Sequence, residues 1–292
     1  MFPIPSNERN RLERLRALGV LDTAAEEAFD RITRLAAQLL RVPIALVSLV
    51  DEERQWFKSR VGLDVTETPR ELAFCAHTIC QDEVMVVENA TSDHRFADNP
   101  LVTGSPNIRF YAGVPIRTSD GFRLGTLCAI DRVPRQLGDY ERAVLRDLAG
   151  VVSDQLRLIE LSRRASDAEA RLVDAVEALP DGFVLLDRED RLVLCNQRYR
   201  DIYCESAEAI RPGSRFDDII RDGVARGQYP AAIGNEQAWI ANRMAAHRDP
   251  PREAIEQELP GDRWIRIHER RTTEGGLVGF RIDVTEIKRQ QR

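Results

Sequence analysis

The chain has 292 residues, 43% hydrophobic and 31% charged, with 17 glycines, 14 prolines and a formal net charge of −6. At about 100–200 residues per domain this is room for two domains with their own cores, and the apolar content excludes a disordered chain. The longest apolar run, residues 42–50, is far short of the ~20 residues of a membrane span, and the acidic balance argues against a nucleic-acid footprint.

The first strong pattern is Ala28, Phe29, Ile32, Leu35, Ala36, Leu39 and Leu40, whose spacing predicts a helix within 23–41 that Pro43 ends. Residues 44–50 are apolar on both faces, as in a central strand. A second strand is predicted at 56–61, a short helix over 71–80, a strand at 84–88 and a polar loop over 91–107. Two more strands, 109–117 and 124–131, are joined by Ser119-Asp120-Gly121. In the second of them Leu124, Thr126, Cys128 and Ile130 are expected on one face. Residues 140–179 hold no proline and only Gly150. Their apolar positions, Leu145, Leu148, Val152, Leu156, Ile159 and then Ala165, Ala168, Leu172, Val176, Leu179, predict a long amphipathic helix. Its register breaks at Ser162-Arg163-Arg164, and Pro180-Asp181-Gly182 stops it. The rest reads as a hairpin (183–187 and 192–195), a short helix capped by Asn196, helices over 216–225 and 235–246, and a meander at 255–259, 264–271 and 278–282. The fold class is therefore α+β, with antiparallel connections rather than alternating βαβ units.

All but two of the 42 cationic side chains are arginines, and neither Lys58 nor Lys288 follows a glycine or completes Ser-x-x-Lys. A Walker phosphate loop and a serine–lysine acyl site are excluded. Cys75, Cys80, Cys128, Cys195 and Cys204 form an odd set without Cys-x-x-Cys. They suit neither a disulfide framework nor a four-ligand zinc site, and reduced, mostly buried thiols are expected. The opening Met1-Phe-Pro-Ile-Pro lacks the regions of a signal peptide, so a cytoplasmic protein without membrane insertion is expected.

Five segments occur in order: Leu15-Arg-Ala-Leu-Gly-Val-Leu-Asp22, Phe74-Cys-Ala-His-Thr-Ile79, Asp93-His-Arg-Phe96 with Asn99-Pro-Leu-Val102, Phe110-Tyr-Ala-Gly-Val-Pro-Ile116, and Gly125-Thr-Leu-Cys-Ala-Ile-Asp131. With them, residues 12–160 resemble a GAF domain of bacterial sensor proteins. Gly182-Phe-Val-Leu-Leu-Asp187, Leu192-Val-Leu-Cys-Asn196 and Asp283-Val-Thr-Glu286 make residues 172–288 resemble a PAS domain, a five-stranded antiparallel sheet with helices on one face. The implied plan is an N-terminal helical segment (1–22), a GAF domain (23–160), a connecting helix (140–179), a PAS domain (180–288) and the start of an output linker (289–292). Families built this way usually continue into a diguanylate cyclase or histidine kinase; the sequence shows neither a Gly-Gly-Asp/Glu-Glu-Phe segment nor an ATP-binding glycine box. The resemblance implies a cytoplasmic sensory module that relays a small-molecule or redox signal to its own output domain. It would work as a homodimer through Leu145, Leu148, Val152, Leu156 and Ile159, with Asp283, Thr285 and Glu286 transmitting the signal.

The same resemblance places Cys75, His77, Asp93, Arg95, Arg109, Tyr111 and Cys128 around a GAF ligand cavity; the competing reading has them packing the core and tying the loop to the sheet. Ala76 interrupts the Cys-His pair that a bilin attachment uses, and the cyclic-nucleotide signature is missing. In the PAS unit Asn196, Tyr199, Tyr203, Phe216 and Trp239 are pocket candidates or plain core. The flavin-binding core is absent, and His247 and His268 read as exposed polar residues rather than haem ligands. No cofactor, metal site or catalytic residue is called for. Two other readings stand beside the sensory one: a thiol-based reductase of the free methionine sulfoxide type with an appended PAS domain, and a pure dimerisation scaffold.

Overall fold

The computed structural model describes residues 2–291, which form two units dividing between Ala165 and Ser166. Unit 1 contains α1 (Glu8–Leu18), α2 (Glu27–Leu40), β1 (Ile44–Val50), β2 (Arg54–Val61), β3 (Glu67–Pro69), α3 (Phe74–Thr78), β4 (Met85–Val87), α4 (Pro100–Thr103), β5 (Phe110–Arg117), β6 (Arg123–Asp131) and the start of α5 (Asp139–Glu177). Its six strands lie in the order β3-β2-β1-β6-β5-β4, every neighbouring pair antiparallel.

β1 is buried along its whole length, because both faces of the sheet are covered. Ala45, Val47 and Leu49 point into a core with α1, α2 and α5, while Ile44, Leu46 and Val50 point into a second core with α3, Phe96 and Tyr111. α2 buries Phe29, Ile32, Ala36 and Leu40. Leu35 and Leu39 flank that stripe and are exposed. The helix stops at Arg41, whose backbone is left-handed (φ 51°), two residues ahead of Pro43. β6 departs from simple alternation. The β5–β6 register shifts at Ile116/Arg117, leaving Leu124 unpaired, and such a bulge moves a side chain to the opposite face. Leu124 accordingly joins the core beneath α2 and α5, away from Cys128 and Ile130.

α5 runs as one helix through Ser162, Arg163 and Arg164, the long helix expected over 140–179, and it corrects one expectation. The residues assigned to a homodimer interface are spent on the core of their own unit: Leu145, Val152 and Leu156 are buried there, and Leu148 and Ile159 pack against the same cluster. A helix stripe facing its own sheet is not available to a partner.

The N-terminal segment belongs to this unit. Arg14 on α1 pairs with Glu160 of α5 at 2.6 Å and with Asp120 at 2.9 Å. Glu8 sits between two buried arginines, Arg11 (2.8 Å) and Arg70 (2.5 Å), and Arg11 also donates to the Val50 carbonyl at 2.6 Å.

Unit 2 continues from α5 with β7 (Gly182–Leu186), β8 (Leu192–Cys195), α6 (Gln197–Ile202), α7 (Phe216–Ala225), α8 (Glu236–Arg248), β9 (Ile255–Leu259), β10 (Arg263–Arg271), β11 (Leu277–Asp283) and α9 (Thr285–Gln291). Its antiparallel sheet has the order β8-β7-β11-β10-β9. α6, α7 and α8 supply Tyr199, Ile202, Phe216, Ile219, Ile220 and Ile240 to a core against Val184, Ile265, Ile267 and Leu277. Among the described residues no helix is long and apolar enough to cross a membrane.

A pH prediction follows from Glu8. Burial alone would raise its carboxyl, but the hydrogen bonds and charges of Arg11 and Arg70 outweigh that and bring it from 4.5 down to about 2. A carboxyl depressed on folding stabilises above its unfolded value, and that stability is lost as pH falls through the folded one. Glu8→Gln should therefore lower the urea midpoint of unit 1 at pH 7, and the gap to the parent chain should shrink between pH 4.5 and 2. A gap that stays constant with pH would show that Glu8 acts by packing alone.

Candidate functional site

The seven residues expected around one cavity in unit 1 are sorted by the structure into two groups. Asp93 and Arg95 pair with each other in the loop after β4, with Arg95 bonding both carboxylate oxygens at 2.9 and 2.6 Å. Arg109 donates to the carbonyls of Val102 (2.8 Å) and Ile108 (3.1 Å), which ties the 100–108 loop to the sheet. His77 is half-buried and meets the Phe96 ring edge-on at 4.8 Å. These four hold the loop. The other three, Cys75, Tyr111 and Cys128, are buried together in the second core.

That second group is a sulfur–hydroxyl cluster. The Thr126 hydroxyl donates to Cys75 Sγ at 3.0 Å and the Tyr111 hydroxyl at 3.5 Å. The Cys75 and Cys128 sulfurs are 4.0 Å apart, and Tyr111 also meets Thr78 at 2.8 Å. Gly113 makes this possible: a Cβ there would stand 2.2 Å from the Tyr111 hydroxyl, so a larger residue would drive the phenol off its partners. The space where a ligand was expected is filled by aromatic rings, with Phe74 stacked on Phe96 at 3.9 Å and tilted against Tyr111 at 5.1 Å. The open cavity on this face lies further along the sheet. It has a volume of about 340 Å³ and is walled by Leu46, Gln55, Phe57, Leu63, Leu101 and Ile108 among others. None of the seven expected residues lines it.

In unit 2, Asn196 is the predicted cap and more. Its Oδ1 accepts from Tyr199 N (3.0 Å) and Phe183 N (2.8 Å), and its Nδ2 donates to the Asp181 and Val176 carbonyls. One side chain thus joins the end of α5, β7 and α6. Tyr199, Tyr203 and Phe216 are core residues. Trp239 stacks on Tyr229 at 4.5 Å and lines a cavity of about 300 Å³ with Arg243, Ile255, Gln257 and Trp264.

The principal polar feature of this core was missed. Glu269 accepts from Arg243 (2.5 Å) and Arg281 (2.6 Å), and all three are buried. Arg281 also donates to the Tyr203 hydroxyl at 3.0 Å, and Tyr203 donates to Gln257 at 3.0 Å. His247, expected at the surface, is fully buried; it stacks on Phe216 at 4.0 Å and meets Asp190 at 3.1 Å. Burial would push the Glu269 carboxyl up, but the charges of Arg281 and Arg243 and the hydrogen bonds of Arg243 and Arg281 hold it well below its ordinary range. The signal was present as alternation: Ile265, Ile267, Glu269 and Leu277, Gly279, Arg281 each point inward with period two. Among the described residues no group of three metal-ligating side chains is gathered.

The end of β11 forms a compact joint. Asp283 Oδ1 accepts from the Thr285 backbone N–H (3.1 Å) and hydroxyl (2.6 Å), and Arg263 donates to Asp283 Oδ2 at 3.0 Å. Thr285 Oγ1 in turn accepts from Trp264 N at 2.9 Å. Two side chains therefore fasten the first turn of α9 to the start of β10. Burial is outweighed by the bonds of Thr285 and Arg263, which keep the Asp283 carboxyl below its ordinary value. Glu286 stands outside the joint, exposed and 3.6 Å from Arg289.

Residues 24–156 match the GAF domain family and residues 176–292 match the PAS fold family. A cyclic di-GMP phosphodiesterase of Pseudomonas aeruginosa is 39% identical over 193 residues, 66% of this chain and 33% of that protein. The non-motile and phage-resistance protein of Caulobacter vibrioides is 35% identical over 144 residues, 49% of this chain and 15% of that protein. The chain thus spans a third or less of the curated relatives it matches. Among solved structures, the GAF domain of an Acinetobacter phosphoenolpyruvate-protein phosphotransferase aligns with a TM-score of 0.38 at 19% identity, covering 55% of this chain and 98% of that one.

The buried ion triad carries its own prediction. Glu269→Gln leaves two buried guanidiniums without their counter-charge, which costs about 3–5 kcal/mol. Urea unfolding should show unit 2 destabilised by that order with unit 1 unmoved; a loss under about 1 kcal/mol would mean that water or Asp190 replaces the glutamate.

Proposed function

This chain is a GAF domain followed by a PAS domain, and we propose that it is the sensory part of a longer signalling protein whose output domain makes or breaks a cyclic dinucleotide. The cyclic di-GMP phosphodiesterase relative supports that output over a histidine kinase. The reading is carried by the joint at Asp283. A helix held to its sheet by the Asp283–Thr285–Arg263 joint and by Lys288, which pairs with Glu256 of β9 and lies over the Trp264 ring, is fastened by polar contacts that can be exchanged, so a change in strand β11 alters the direction in which α9 leaves. Such a joint biases an equilibrium between two arrangements of whatever α9 is attached to.

The sensed molecule enters, in this reading, the GAF cavity of about 340 Å³. Its size and mostly apolar wall with a few polar groups suit a small organic ligand. The reductase reading finds no support in the geometry, since neither Cys75 nor Cys128 borders the cavities described above, which leaves no room beside the thiols for a substrate the size of methionine sulfoxide.

The homodimer partner also moves to a different face. On α5, Val151, Leu158, Ala165 and Leu172 recur every seven residues, Leu161 and Ala168 fall between the last three and Ala175 follows, and all seven are exposed. This is the 3.5-residue repeat of a coiled-coil seam. It starts one residue, about 100° around the helix, from the buried stripe of Leu145, Val152 and Leu156. A second copy of this chain packed along that seam covers the apolar side chains and brings two output domains together.

The test uses Asp283→Ala in the longer protein, read by cyclic dinucleotide turnover. The expected result is a changed basal rate that no longer responds to the signal, while this chain alone loses only about 1 kcal/mol, the value of a cap. An unchanged basal rate with a normal response would reduce Asp283 to a helix cap.

A further inference from the structure

We propose that Cys75 and Cys128 form a peroxide-oxidisable dithiol that closes to a disulfide between α3 and β6. The two sulfurs are already 4.0 Å apart, so a bond of about 2.05 Å requires a closure of about 2 Å. One partner is carried by α3, a helix of only five residues, so closure is the movement of one short element against the sheet. The other is held in the middle of the sheet, paired to Leu46 and Gly113 on its two sides.

The surroundings divide the labour between the two thiols. Burial raises the pKa of the Cys75 thiol, but hydrogen bonding with Cys128, Thr126, Tyr111 and Ser48 outweighs it and brings the pKa below its ordinary value. Cys128 is pushed the other way, by its bond to Cys75 and by burial. Thiolate is the nucleophile toward oxidants, so Cys75 is the attacking sulfur and Cys128 the resolving one. This arrangement is unlike that of Cys195, where burial dominates and raises the thiol.

The chemistry balances with a hydroperoxide as oxidant. Cys75 thiolate attacks the outer oxygen of the peroxide, the O–O bond breaks, and the alcohol or water leaves with one proton, giving a Cys75 sulfenic acid. The Cys128 sulfur then attacks Cys75, the S–O bond breaks, and hydroxide leaves as water with the Cys128 proton. Two thiols are oxidised by two electrons and one peroxide is reduced. Access to the buried sulfurs is through openings of α3, and a molecule the size of hydrogen peroxide needs only a small one. The oxidation itself does not depend on the sensory reading. Where that reading holds, the disulfide is a chemical input to the GAF core.

The test is made on the whole chain with Cys204→Ser, which removes the exposed competitor. Reduced protein is treated with hydrogen peroxide, alkylated in denaturant, digested and mapped by mass spectrometry. The expected result is a cross-linked pair of peptides holding Cys75 and Cys128, a mass loss of about 2 Da for the two hydrogens, and full reversal by dithiothreitol. In Cys128→Ser the reaction should stop at a Cys75 sulfenic acid captured by dimedone, and Thr126→Val should slow its formation. Recovery of both thiols free and alkylatable after peroxide would overturn the proposal. Should either variant fail to fold, the mapping in the Cys204→Ser chain decides alone.

Discussion

α5 gives one face to the core of its own unit, and the proposed dimer would use a second face of the same helix. Its stripe of Leu145, Ala149, Val152 and Leu156 joins α1 and α2 in closing the core of unit 1 over Ala45, Val47 and Leu127. A core stripe follows the 3.6-residue period of the straight helix, whereas the exposed seam from Val151 to Ala175 follows 3.5. The two coexist because they start about 100° apart. Everything proposed for relay depends on that separation: the first stripe makes the helix part of a sensing domain, and the second leaves it free to meet a copy of itself.

The sheet of unit 1 imposes a similar division. With both faces covered, alternate residues of β1 and β6 feed different cores, and the bulge at Leu124 keeps the assignment consistent at the strand's end. On one face lie the helices of the N-terminal segment and α5, held by Arg14, Glu160 and the Glu8–Arg11–Arg70 cluster. On the other lie the cysteine pair and the apolar cavity. A ligand in that cavity or a disulfide at Cys75 would strain the same strands that α5 packs against from behind. Interiors at crystal-like density transmit such strain rather than absorb it.

Much of this architecture was legible in the sequence. The two-faced apolar run of β1, the Asn196 cap and the Asp283–Thr285 exit could be read because each depends on local geometry, a period or a side chain reaching two or three residues. The candidate pocket could not. Whether Arg109 turns toward a cavity or toward the carbonyls of Val102 and Ile108 depends on the path of the 91–107 loop, which no periodicity sets. The dimer stripe was misassigned because two overlapping apolar patterns in α5 look like one pattern with a broken middle until the sheet claims the first. Glu269 and Arg281 were hidden for a different reason. Charged residues at inward strand positions contradict the usual burial rule, so nothing in the sequence beyond their alternation with Ile267 and Gly279 singles out Glu269 or Arg281 as core residues, although each is neutralised by the other and Glu269 also by Arg243.

The central claim is that α5 gives one face to its own core and the other to a second copy. A cysteine scan across residues 157–172 in a chain lacking Cys204, read by disulfide cross-linking of dimers under mild oxidation, tests it directly. The account predicts maxima at positions 158, 161, 165, 168 and 172, repeating every 3.5 residues, with position 159 silent because it packs in the core. Maxima in phase with Leu156 and Ile159, or no cross-linking at any position, would contradict it.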